Sequence, residues 1–163
     1  MEGSKILTLE LTTKDLFAQM KDQSYLLGES LKSNPQLIEL AAKIQASDDD
    51  DVTLQDFAQA GGTKLGNILS RVLGKTSYEW QETGEGLSKV KKLIFTTNAV
   101  ANFMDSQQDT LKDSMLHYLS CYILSKWLNL IKPDESQRFE VMLKDLEEDM
   151  RQLGAQRDKP KRT

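Results

Sequence analysis

The strongest structural signal in the chain lies in residues 111–153, LKDSMLHYLSCYILSKWLNLIKPDESQRFEVMLKDLEEDMRQL. Apolar residues recur there at steps of three and four, first over 111–130 and again over 139–153, a spacing typical of amphipathic helices. Pro133 separates the two runs because proline cannot continue a helix, and Asp134 favours the start of the next one. The pattern predicts two long helices joined at Pro133.

The N-terminal half predicts three further helices. Thr12 and Thr13 are both plausible caps for the first helix, and Pro35 suits the first turn of a short second helix. The third starts at Val52, with Asp51 as its cap, and ends at Gly74, a residue that commonly follows the last helical turn. Gly61 and Gly62 lie in its middle and each weaken a helix by about 1 kcal/mol relative to alanine, so we expect a kink or a break there.

Between the third and fourth helices, the pattern changes to that of strands. Thr76, Tyr78 and Trp80 fall on one face of an extended segment, and residues 91–97 are rich in strand-forming side chains. The sequence predicts a β-hairpin over about residues 76–97, with an exposed tip that suits partner contacts. The residues assigned to the hairpin or to a subunit interface are Tyr78, Trp80, Gly84, Gly86, Leu93 and Phe95.

These elements predict a mainly α fold, a small helical bundle with one β-hairpin and a C-terminal extended tail. Residues 1–11 form an N-terminal arm or a short strand, residues 12–154 form the helical domain, and residues 155–163 form a basic tail. The tail carries Arg157, Lys159, Lys161 and Arg162 against one acidic residue, Asp158. We expect it to order against an acidic partner surface.

Composition excludes several classes of function. The chain has 163 residues and a net charge of -4, so it suits one domain without a global basic field for nucleic acid. A single cysteine and a single histidine exclude an internal disulfide, a multi-cysteine zinc site and a two-histidine metal site. No apolar run approaches the roughly 20 residues that cross a bilayer, and residues 1–10 lack the pattern of a signal peptide. We therefore expect a soluble, intracellular protein.

Two clusters of residues have the chemistry of a metal site or a catalytic pair, but their sequence context favours a structural role for each. The run Asp48 to Asp51 lacks the alternate spacing of a calcium loop, so a solvated turn that caps the next helix is the better reading. His117 and Cys121 share a helix face, and a cysteine-dependent enzyme would use them as nucleophile and base. Their apolar surroundings favour a partly buried histidine beside a buried thiol. We assign no catalytic residue, no metal ligand and no cofactor.

The order of motifs resembles the head–tail connector (adaptor) proteins of long-tailed bacteriophages. In sequence these are TTKDLFAQM, DDDDVTLQDF, the strand KKLIFTT, the helix segment YILSKWL, the KPDES break, an acidic last helix and the ending QRDKPKRT. In that family small helical subunits form a ring, commonly twelvefold, beneath the portal. The run of four aspartates and residues 37–46 lengthen the N-terminal half relative to the family, so the resemblance leaves open which loop would line a channel.

The resemblance implies a structural subunit of the virion neck, assembled in the bacterial host cytoplasm and without catalysis. Its partners would be further copies of itself in a ring, the portal protein and a further neck or tail protein. DNA would pass through the lumen of the ring without sequence-specific binding. Portal contacts would come from Arg157, Lys159, Pro160, Lys161 and Arg162. The junction of the last two helices would be shaped by Trp127, Leu128, Pro133 and Asp134.

An alternative from another class remains open. Lys89, Lys91 and Lys92, together with the tail, would give local basic patches to a small helical subunit of a nucleic-acid-binding complex. That function predicts salt-sensitive binding of DNA or RNA by the isolated chain.

Overall fold

The C-terminal third folds as two long helices, as the 111–153 pattern predicts. In the computed structural model, which describes residues 4–84, 90–100, 103 and 105–155, α4 spans Gln108–Ile131 and α5 spans Pro133–Ala155. A single residue, Lys132, joins them. Because the linker is so short, α5 folds back along α4, and Ser125 lies against Ser136 across the pair.

The N-terminal half contributes three helices within the described residues. They are α1 (Thr13–Leu31), α2 (Ile38–Ile44) and α3 (Asp51–Val72), with 3-10 turns at Pro35–Leu37 and Asp48–Asp50. Of the two predicted caps, Thr12 caps α1, since its hydroxyl accepts a hydrogen bond from the backbone N–H of Asp15. Gly74 follows α3 with a φ of +149°, and a side chain there would collide with the carbonyl of Asn98.

Within the described residues the sheet has three strands, one more than the predicted hairpin. β2 (Thr76–Thr83) and β3 (Val90–Val100) pair antiparallel, and Tyr78 lies opposite Phe95. β1 (Ser4–Thr12) pairs with the other side of β3, so the strand order is β1-β3-β2. Residues 4–12 are thus a strand of the sheet, one of the two conformations that the sequence left open.

The core lies between one face of the sheet and the helices. Leu7, Leu9 and Leu11 of β1 and Leu93 and Phe95 of β3 are all buried, as alternation along a strand requires. α4 is the central helix, because it contacts α1, α2, α3, α5 and β1. It is buried around most of its circumference from Tyr118 to Leu128, polar Ser120 and Ser125 included.

The expected break in the third helix is wrong, because α3 runs unbroken through Gly61 and Gly62. Both glycines are buried, and each has an aromatic ring against it. A Cβ at Gly61 would lie 2.7 Å from a ring carbon of Tyr122, and a Cβ at Gly62 would lie 2.6 Å from a ring carbon of Tyr78. The two glycines are therefore sites of close packing, and that packing offsets their low helix propensity.

Candidate docking surfaces

The sheet turns one face away from the helices, and we call it the outer sheet face. It is formed by the alternate residues of each strand whose neighbours point into the core. These are Ile6, Thr8 and Glu10 of β1, Lys92, Ile94, Thr96 and Asn98 of β3, and Ser77, Glu79 and Gln81 of β2.

The outer sheet face divides into an uncharged half and a charged half. In the uncharged half Ile6 lies opposite Asn98, and Thr96 lies between Thr8 and Ser77. Ile6 is a large apolar side chain that remains 68% exposed. In the charged half, Glu10 and Glu79 flank Ile94, and Lys92 forms an ion pair of 3.7 Å with Glu10. A net-acidic chain thus has an uncharged surface beside an acidic one.

The residues predicted for the hairpin interface lie mostly on the opposite face of the sheet. Leu93 and Phe95 are fully buried, so they cannot be subunit-interface residues of the folded chain. Tyr78 stacks on Phe95 with ring centroids 5.1 Å apart, and Trp80 packs partly buried against the core. Gly84 lies just after β2 with a φ of +95°, and Gly86 lies outside the described residues.

Three of the predicted helix-junction residues lie where α4 meets α5. The carbonyl of Leu128 accepts the backbone N–H of Lys132 at 2.6 Å, Pro133 opens α5, and Asp134 pairs with the ammonium of Lys132 at 3.2 Å. Trp127 serves a different contact. Its indole N–H donates a 2.7 Å hydrogen bond to the carbonyl of Ile44, and so it holds α2 against α4.

His117 and Cys121 have the surroundings of structural residues. Cys121 is fully buried, and burial raises the pKa of its thiol to about 11. His117 is half-buried one turn away, and its carbonyl accepts a hydrogen bond from Ser120. A thiol that stays protonated at neutral pH is a weak nucleophile, so the geometry gives the pair no activated sulfur.

The aspartate run is a turn that is held by a lysine. Lys21 of α1 donates hydrogen bonds to Asp48 at 2.9 Å and to Asp51 at 2.7 Å. Asp50 accepts from the backbone N–H of Ser47 and closes a capping box. Within the described residues, no group of three or more His, Cys, Asp or Glu side chains is arranged to hold a metal ion.

The basic residues singled out in the sequence do not meet in the part of the chain that the structure describes. Lys91 and Lys92 are neighbours on β3, so their side chains leave opposite faces of the sheet. Lys92 is already paired with Glu10. Lys89 and the tail residues Arg157, Lys159, Pro160, Lys161 and Arg162 lie outside the described residues.

Sequence reasoning missed the outer sheet face because it left β1 unassigned. The signal was present, since Leu7, Leu9 and Leu11 alternate with Thr8 and Glu10 over a full strand length. Its partner strand β3 is far away in the sequence, so nothing local identifies the pairing.

Comparison with known proteins adds no assignment: no protein-family model, no curated protein and no solved structure matches this chain. Across the described residues, none of the helices is both long and apolar enough to span a membrane.

Proposed function

We propose that the chain is a structural subunit of a phage neck that forms a ring, joins the portal to the tail and lets DNA pass. The proposal rests on the resemblance of its motif order to head–tail connector proteins. It assigns no catalytic step. The portal contact falls to the basic tail, and the neck of the virion is the place of action.

The observation that carries the proposal is the uncharged half of the outer sheet face. Copies of a net-acidic chain repel one another, so an uncharged surface is where they approach at the lowest electrostatic cost. Ile6, Thr8 and Thr96 offer such a surface, with one exposed aliphatic side chain in it. A ring also needs a heterologous interface, in which one surface meets a different surface on the next copy. The outer sheet face and the exposed side of the α4–α5 helix pair are unlike surfaces of this kind.

The test is the assembly state of the full chain, purified alone and after co-expression with the portal protein of the same genome. Negative-stain images and native mass spectrometry are expected to show rings, either free or bound to the portal. A chain that stays monomeric and does not co-purify with the portal would overturn the proposal.

A matched pair of variants locates the interface. Ile6→Arg places a charge in the uncharged half of the outer sheet face and is expected to abolish ring formation. Val52→Arg is the control, because Val52 is equally exposed, at 73% against 68% for Ile6, but lies on α3. Rings that survive Ile6→Arg, in a protein whose thermal unfolding is unchanged, would remove the outer sheet face from the proposal.

The nucleic-acid alternative is separated by the same preparations. It predicts that the isolated chain binds DNA or RNA at low salt and that binding weakens steeply with added salt. The connector function predicts a flat titration.

A further inference from the structure

A groove of about 360 Å³ lies where the end of β1 and the start of α1 meet the first turns of α4. Leu11, which is buried, and Leu116, which is partly buried, give it apolar lining. Carboxylates also line it: Glu10 from β1, Asp15 from α1, and Asp109 and Asp113 from α4. Lys112 is the one basic residue among the lining side chains.

The negative charge of this groove is largely uncompensated. Glu10 has Lys92 at 3.7 Å, but Asp15, Asp109 and Asp113 form no ion pair with any described residue. Asp15 and Asp109 lie in the first turns of α1 and α4, where the helix dipole favours them. Asp113 is not stabilised by the helix dipole in this way, because it lies more than one turn into α4. The groove therefore suits an occupant with several positive charges and some apolar surface.

The chain itself supplies a segment of that chemistry, residues 156–163. It carries four basic side chains and one acidic one, a charge of +3, and the groove lining contains three aspartates that form no ion pair with described residues, beside one lysine. Arg157, Lys159 and Lys161 alternate in sequence, so they would share one face of an extended segment.

This segment also starts close enough to reach the groove. α4 has 24 residues and α5 has 23, joined by one residue, so the end of α5 returns to the level of the first turns of α4. Eight extended residues reach roughly 26 Å, whereas one helix is about 10–12 Å across. The segment can therefore pass over the start of α4 and enter the groove on its other side.

We propose that residues 156–163 of the chain dock into its own groove between β1, α1 and α4, with their basic side chains on Asp15, Asp109 and Asp113. The groove would hold the tail until a more acidic partner surface competes for it. This goes beyond the connector function and does not depend on it, because the contact forms within one free chain.

Paramagnetic relaxation in the full chain tests the docking. A nitroxide is attached at Thr163→Cys in a Cys121→Ala background, and amide broadening is recorded by NMR at low protein concentration. We expect broadening of the amides that line the groove, over residues 10–15 and 109–116. It should fall severalfold in the double variant D109N/D113N and vanish near about 0.5 M salt, where charges are screened beyond a few ångströms.

The control removes the same charge from another surface. Glu140→Gln with Asp145→Asn neutralises two exposed carboxylates of α5 that form no ion pair with described residues, and the broadening should persist. Broadening that is absent, that lies elsewhere, or that survives D109N/D113N would overturn the proposal. Broadening of an isotope-labelled chain by a separate spin-labelled copy would show that a second copy supplies the tail, and would overturn docking within one chain. None of these outcomes bears on ring formation, which is measured separately.

Discussion

Two contacts between helices and their neighbours are built on opposite principles. At the glycine joint, Gly61 and Gly62 of α3 receive the rings of Tyr122 and Tyr78. At the polar joint, α2 and the turn before α3 are held by hydrogen bonds that Trp127 and Lys21 donate and by one that the Ser24 hydroxyl accepts. The glycine joint depends on the absence of side-chain atoms, and the polar joint depends on polar groups that form hydrogen bonds.

The glycine joint is shaped by volume alone. Tyr78 is confined between Gly62 and Phe95, and its hydroxyl is buried with no hydrogen-bond partner among the described residues. Burial raises the pKa of this hydroxyl to about 12. An unpaired buried hydroxyl costs free energy, so the position is maintained by the fit of the ring.

The polar joint tolerates a change of volume better than the loss of a donor. Its main buried bond runs from the Trp127 indole to the Ile44 carbonyl, and the Ser24 hydroxyl accepts the N–H of Ala46 at 3.1 Å. Ile44 is the last residue of α2 and Ala46 lies just beyond it, where backbone groups need partners from outside the helix. The comparison predicts that added atoms damage one joint and that removed polar groups damage the other.

The largest effect is expected from Gly62→Ala. The added Cβ would lie 2.6 Å from a Tyr78 ring carbon, and the stacking of this ring on Phe95, with centroids 5.1 Å apart, limits its movement. Overpacking of this kind costs about 3 kcal/mol, more than the gain in helix propensity. Urea denaturation followed by circular dichroism measures the loss.

Gly66→Ala is the matched control on the same helix. Its Cβ would meet Tyr78 at 3.6 Å, an ordinary contact, so the substitution should stabilise the chain by about 0.5–1 kcal/mol. Adding Tyr78→Leu to Gly62→Ala should recover much of the loss. Equal changes in stability from the two alanine substitutions would mean that helix propensity, and not the contact with the Tyr78 ring, determines the effect at Gly62.

A smaller effect is expected from Trp127→Phe at the polar joint. The substitution keeps an aromatic ring but leaves the Ile44 carbonyl without its donor, which costs about 2 kcal/mol. The loss should appear in urea denaturation followed by circular dichroism. Tyr122→Phe, another conservative aromatic change on α4, should cost much less, because no hydrogen bond of the Tyr122 hydroxyl is lost in the described structure. A similar loss in both variants would argue that ring volume, and not the donor, holds α2.

The two joints also mark how far the sequence could be read. Periodicity predicted α4 and α5, the Thr12 cap and the β2–β3 pair, since all depend on neighbours in the chain. It failed at Gly61 and Gly62, where low helix propensity argues for a break and tertiary packing overrides it. Periodicity does not predict the hydrogen bond from Trp127 to the carbonyl of Ile44, because only the folded structure brings residues 83 positions apart into contact. For the same reason, the outer sheet face depends on a pairing of β1 with β3 that no local pattern encodes.

The smallest effect concerns the exposed edge of the polar joint and appears as a pH dependence. The hydrogen bond and charge of Lys21 lower the pKa of Asp48 below its usual 3.8. Burial tends to lower the pKa of Lys21, but hydrogen bonds to Asp51 and Asp48 outweigh it and raise that pKa above 10.5. Because the pKa of Asp48 is lowered on folding, its charge stabilises the folded chain above pH 3.8, and this stabilisation is lost as the pH falls through the pKa of the folded state. Because the pKa of Lys21 is raised on folding, its charge stabilises the folded chain below pH 10.5, and this stabilisation is lost as the pH rises through the pKa of the folded state.

Asp48→Asn should therefore lower stability slightly across the neutral range, and the difference from the parent chain should shrink as the pH falls below about 4. The effect is small because the Asp48 side chain is 97% exposed and screened by solvent. Asp49→Asn is the control, since Asp49 forms no ion pair with any described residue, and its denaturation midpoint should stay with that of the parent at every pH. If the Asp48→Asn difference were constant from pH 7 down to about pH 3, charge pairing with Lys21 would not be its cause. The polar joint would then be held by Trp127 and Ser24, through buried hydrogen bonds whose strength does not depend on pH in this range.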